Sequence, residues 1–148
     1  MTTFRFPLKR ILDWRRAQLE LEEARYRQQS AALAALDRMR AEVEAAGIQA
    51  ELQVREWNPV AGRDLGALGV FRQRVKAREA QIALQRTECA RKLGEQQKLM
   101  LEARRRCRLL ERLEERKLVE WRATRDRELD ELAAESYLAK WARGKMSE

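Results

Sequence analysis

Histidine is absent from all 148 residues. The chain therefore lacks both the usual general base at neutral pH and the commonest metal ligand. Serine occurs only at Ser30, Ser136 and Ser147, none of them in a nucleophile-elbow context. Gly62, Gly66 and Gly69 lack the Lys-Ser/Thr of a phosphate-binding loop. The paired carboxylates Glu22-Glu23 and Glu114-Glu115 have basic neighbours and read as solvated side chains. No enzyme activity, cofactor or metal is expected. Apolar runs are short as well, none approaching the roughly 18–20 residues of a membrane span. The opening Met1-Thr2-Thr3-Phe4-Arg5-Phe6-Pro7 lacks the apolar stretch and cleavage site of a signal peptide, so a cytosolic protein is expected. Cys89 and Cys107 lie about 27 Å apart along one expected helix, too far to bridge within a chain, and both fall near its apolar seam. They read as buried structural thiols.

Proline is the other scarcity, occurring only at Pro7 and Pro59. A proline inside a helix costs about 3 kcal/mol, so the two proline-free stretches permit very long helices, and their Ala, Leu, Glu, Arg, Lys and Gln favour them. The one break is the run Asn58-Pro59-Val60-Ala61-Gly62-Arg63-Asp64, dense in turn formers. With 38% charged and 6% aromatic residues the chain is too poor in large apolar groups for an ordinary globular core, yet 45% apolar content is too high for a disordered chain. A coiled coil fits both figures. The net charge of +8 is mixed along the chain, as the solvated face of a long helix requires. The cluster Arg104-Arg105-Arg106-Cys107-Arg108 is the strongest basic feature. Its arginines point around the helix and are flanked by seam residues, which makes a basic nucleic-acid-binding coil the weakest reading.

Heptad repeats locate the seam. Leu12, Leu19, Tyr26 and Leu33 recur every seven residues, and Leu36, Val43, Ala50 and Trp57 follow at the same interval. Further on, Leu68, Val75, Ile82, Cys89, Gln96, Ala103 and Leu110 make one column, and Leu93, Met100, Cys107, Glu114 and Trp121 the other. Gln96, Glu114 and Arg40 interrupt the apolar pattern, while Gly47 and Gly94 each weaken a helix by about 1 kcal/mol.

The expected fold is all-α, an antiparallel two-helix coiled coil (an αα-hairpin) forming one elongated domain over 1–148. Helix one covers about 7–57, the loop 58–64 and helix two 65–143. Pro7 suits a first helical turn, Asp64 an N-cap and Gly144 a C-terminal stop. Helix one spans roughly 75 Å and helix two nearly 120 Å, so pairing outward from the loop exhausts helix one near residue 115. About 28 residues of helix two then project, carrying Leu118, Trp121, Leu129, Leu132, Tyr137, Leu138 and Trp141. Their apolar side chains call for cover. Self-association of two overhangs and back-packing by Phe4 and Phe6 are the alternatives to the preferred reading, a docking helix for another protein.

The opening Phe4-Arg5-Phe6-Pro7-Leu8, then Leu12 and Arg15-Arg16, resembles the start of the flagellar export protein FliJ family. The far end agrees, with Leu110-Glu111-Arg112-Leu113-Glu114-Glu115-Arg116-Lys117 and later Leu129-Asp130-Glu131-Leu132-Ala133. The order of a shorter and a longer helix around a central loop matches too. The resemblance implies a non-enzymatic stalk of the bacterial flagellar type III protein export apparatus. Such a stalk is cytoplasmic and peripheral to the inner membrane at the flagellar base. It inserts its terminal end into a hexameric export ATPase (FliI-like) and contacts the cytoplasmic domain of the export gate (FlhA-like), and the sequence leaves open whether export chaperones bind as well. Carried over by position after the loop, the gate-binding surface falls on Phe71, Val75, Arg78 and Ile82, with Arg78 in place of a small apolar residue. The ring-binding surface falls on Leu118, Trp121, Leu129 and Leu132. The equivalent stalk of a virulence type III injectisome shares this architecture, and a free-standing oligomeric coiled-coil scaffold is the rival class.

Overall fold

The structure is a computed structural model that describes residues 3–57, 59 and 61–146. Among them are two α-helices and no strand. Helix α1 is Lys9–Glu56, 48 residues, and helix α2 is Gly62–Lys145, 84 residues. The fold is an all-α, antiparallel two-helix hairpin of coiled-coil type, with the second helix the longer.

The helix ends differ in detail from the expected bounds. Pro7 lies in the turn ahead of α1, where the Lys9 N–H donates to Phe6 O at 3.1 Å. Trp57 closes the other end with a 3.2 Å bond to Val54 O, a tightened last turn. Of the expected loop, Asn58 and Val60 lie outside the described residues, Pro59 sits in a bend, and residues 62–64 are already helical. Asp64 is not the N-cap. Its N–H and that of Leu65 both reach Ala61 O, at 3.0 and 3.2 Å, which starts α2 three residues early. Asp64 instead sets its carboxylate in the first turn, where the helix dipole favours an anion. Gly144 does not stop α2, which continues through it to Lys145 with no left-handed backbone at that glycine.

Close contacts divide the chain into two units, Glu20–Glu102 and Met1–Leu19 with Ala103–Glu148. In the first, partners across the hairpin run in opposite directions. Glu51 meets Arg72 at 2.8 Å and Asp37 meets Arg86 at 2.6 Å; then the Cys89 thiol reaches Gln29 O at 3.9 Å. Next, Gln96 donates to Glu22 O at 3.2 Å and also to the Glu22 carboxylate. Ile82 is fully buried at the middle of this unit. Leu33, Leu36, Val43, Val75 and Cys89 are half-buried along the same line, as the heptads require. Trp57 leaves it, being 47% exposed, and Gly47 and Val54 take the seam near the loop. Gly47 opens room for Val75, whose Cγ1 lies 3.4 Å from where a Cβ would stand.

In the second unit Phe6, Leu12 and Cys107 are buried together, with Phe4, Leu8, Leu19, Leu110 and Leu113 packed around them. Phe6 and Leu8 precede α1, so the N-terminal segment lengthens the contact beyond the helix itself. Lys9 pairs with Glu114 at 3.5 Å and Arg16 with Glu111 at 3.4 Å on the rim. The two cysteines are free thiols, Cys107 buried and Cys89 half-buried.

Two substitutions should separate seam from solvent. Ile82→Ala, at a site with no exposure, should cost about 2–5 kcal/mol because it leaves a cavity. Gly94→Ala, where an added Cβ meets nothing within 4 Å, should raise stability by about 0.5–1 kcal/mol through helix propensity. Urea unfolding followed by circular dichroism reads both.

Candidate functional site

The four residues carried over as a gate-binding surface divide between two environments. Val75 is half-buried and Ile82 fully buried, both in the seam against α1. Phe71 and Arg78 are exposed, one turn apart from those seam residues on the flank of α2. Arg78 donates to Gln81 Oε1 at 2.9 Å and points along its own helix. Phe71, 37% exposed, is shared by two shallow grooves: one with Gly47, Ile48 and Val75, the other with Ala50, Val54 and Trp57. Any surface here is therefore Phe71 with exposed Ile48 and Val70 beside it, while Val75 and Ile82 support it from below. Sequence spacing alone could not make that division, since 71, 75, 78 and 82 share one side of a helix and the seam cuts through it.

The ring-binding candidates divide as well. Trp121 is covered by Phe4, with ring centroids 6.0 Å apart and planes tilted by 53°. The Arg125 guanidinium lies 5.3 Å from the Trp121 ring centroid, and Leu118 is half-buried. Pairing thus reaches past residue 115, because Phe4 supplies the cover that α1 itself is too short to give. Beyond Arg125 every residue through Met146 is exposed. Leu129 and Leu132 are 49% and 61% exposed; Tyr137, Leu138 and Trp141 are 70%, 60% and 54% exposed. At about 100° per residue, Leu129 and Leu132 continue the seam line, whereas Tyr137, Leu138 and Trp141 lie on other sides of the helix. The unpartnered segment carries apolar side chains around most of its circumference.

Polar seam layers are the feature that sequence reading passed over. Glu22 and Gln29 continue the Leu36 column towards the N-terminus, and Glu79 and Arg86 continue the Leu93 column towards the loop; all four are half-buried. Their heptad spacing was available, but their polarity hid it. Gln29 Oε1 is buried with no hydrogen-bond partner, a cost of about 1–3 kcal/mol that neighbouring apolar layers offset. Hydrogen bonding and attraction to Asp37 raise the Arg86 pKa. Among the described residues no cluster of acidic or cysteine side chains suits a metal ion, and no helix is long and apolar enough to cross a membrane. Arg104, Arg105 and Arg106 each have partners within the chain. The chain matches no protein-family model, no curated protein and no solved structure.

Burial, then the Glu111 carboxylate, raises the Cys107 thiol above its ordinary pKa, and Arg16 opposes the shift. The folded state thus favours the protonated thiol. This contribution to stability is complete below the ordinary value of 9.0 and is lost as pH rises through the raised one. Alkylation at pH 8 should modify Cys89 well before Cys107, with rates converging in urea; mass spectrometry of timed samples reads the order. Phe71→Ala should lower the melting temperature far less than Ile82→Ala, and calorimetry on the two variants checks this.

Proposed function

We propose that this chain is a non-enzymatic stalk that couples a ring-forming ATPase to a membrane export gate, in the manner of the flagellar type III export apparatus. The observation that carries the reading is the unpartnered end of α2, where Leu129, Leu132, Tyr137, Leu138 and Trp141 are exposed on several sides of a single helix. A helix that carries apolar side chains on several sides gains when neighbours surround it, and the lumen of a protein ring is such an environment. Its interspersed Arg, Lys, Asp and Glu would make tolerant contacts with a symmetric wall. The order of FliJ-like motifs at the two ends of the sequence supports the same assignment. Phe71 with Ile48 and Val70 would serve as the gate-facing surface at the opposite end of α2. The stalk would transmit the state of the ring to the gate, in the cytoplasm and peripheral to the inner membrane.

Addition of the full chain to a purified flagellar export ATPase should promote hexamers and raise turnover. Removing residues 126–148 should abolish both effects while Phe4 and Trp121 keep the paired part folded. Unchanged assembly and turnover with the full chain would refute the stalk reading and leave a free-standing scaffold. A gain with the ATPase of an injectisome alone would reassign the system.

A further inference from the structure

The outward side of α2, facing away from α1, orders its charges by sign along the helix. At about 100° per residue, Arg105, Arg112, Arg116, Val119, Ala123, Asp126, Asp130, Ala134 and Tyr137 fall within an arc of about 80°, opposite the seam line of Cys107, Leu110 and Glu114. All nine are exposed, Val119 by 63% and Tyr137 by 70%. Among the described residues, Arg112, Arg116, Asp126 and Asp130 make no ion pair within the chain, although α2 binds many of its other charges internally, as Lys117 does with Glu120 at 2.9 Å. The cations all precede Val119 and the anions all follow Ala123.

We propose that this face is a self-complementary surface on which a second copy of the chain docks antiparallel. A two-fold axis beside residue 121 sets Arg116 against Asp126 of the second copy, Arg112 against its Asp130, and Val119 against its Ala123. The same register brings Arg105 to the ring of Tyr137, a cation–π contact. Each pairing occurs twice, as an isologous interface requires. One constant register serves all four pairings, which a random charge distribution has no reason to do. Parallel pairing would oppose Arg to Arg and Asp to Asp, so the charges select the direction as well as the partner. Exposed ion pairs are weak singly and screened by salt, so the dimer forms through their number and the small apolar centre, and it loosens as ionic strength rises. The pairing is independent of the stalk reading. It occupies Tyr137, so a chain paired in this way cannot also be enclosed by a ring along that segment.

Sedimentation equilibrium of the full chain at low ionic strength, with two charge variants, tests the proposal. Wild type should dimerise, and added salt should weaken the dimer. Arg112→Glu/Arg116→Glu removes four pairings, each worth roughly a two- to fivefold factor, so dimerisation should weaken by about 20-fold or more. Asp126→Lys/Asp130→Lys should do the same. An equimolar mixture of the two variants should recover dimers, since the carboxylates introduced in one chain then face the ammonium groups introduced in the other. Unchanged circular dichroism will show that these exposed substitutions leave the helices intact. A monomeric wild type, variants that pair as well as wild type, or a mixture that fails to recover would each overturn the proposal. Pairing that survives both variants but is lost in Leu129→Ser/Leu132→Ser would overturn it too, and assign association to the seam line instead.

Discussion

Among the described residues, shelter from water comes from the contacts that α1 and the segment before it make with α2 within each of the two units. Two helices side by side offer each other only one face, so a side chain is buried when it falls on the alternating three- and four-residue spacing and is wet otherwise. Leu12 and Ile82 have no exposure, while Ile11 and Leu84, one and two residues away, are 47% and 74% exposed. Among the described residues no second layer lies over the seam to compensate for a position wrongly filled. The same constraint leaves most of the surface of α2 available to other molecules.

Such a narrow contact must also determine its own direction and register. A purely apolar seam would tolerate slipping by a heptad at modest cost. The Glu22–Gln96 layer resists this, because Gln96 is 7% exposed and its amide reaches both the backbone and the carboxylate of Glu22. A slip of seven residues would bury that amide without its partner, the circumstance in which a polar seam residue imposes register. Asp37–Arg86 and Glu51–Arg72 add rim pairs that agree with the same alignment. At the loop end, Gly47 faces Val75 across the seam, and both line the groove beside Phe71.

Past Trp121 the rule changes. The last seam residues are covered by Phe4 and not by helix, and from Asp126 onward α2 has no neighbour among the described residues of its own chain. Side chains there are free of the hairpin's demands, so their arrangement bears on other molecules. The seam line continues as Leu129 and Leu132, and the outward face orders its charges by sign about Val119 and Ala123. Leu129 and Leu132 are costly to leave in water, and neither pattern contributes to the hairpin.

The sequence by itself determined the two helices, their unequal lengths, the antiparallel turn near Pro59 and most of the buried line, because helix propensity, proline placement and heptad spacing are local properties. It did not determine where the seam runs through shared faces. Phe71, Val75, Arg78 and Ile82 lie on one side of α2, and only the presence of α1 separates buried Ile82 from exposed Arg78. Nor could spacing reveal that Gln29 and Glu22 enter the seam, since polar residues carry no apolar signal until a partner encloses them. The reach of pairing was decided in the same way. Helix lengths placed its end near residue 115, but Phe4, which lies ahead of α1, extends it to Trp121 by packing its ring where no helix remains. Local propensity reads the elements; what covers a given side chain depends on which residues distant in sequence arrive beside it, and that is a property of the tertiary structure alone.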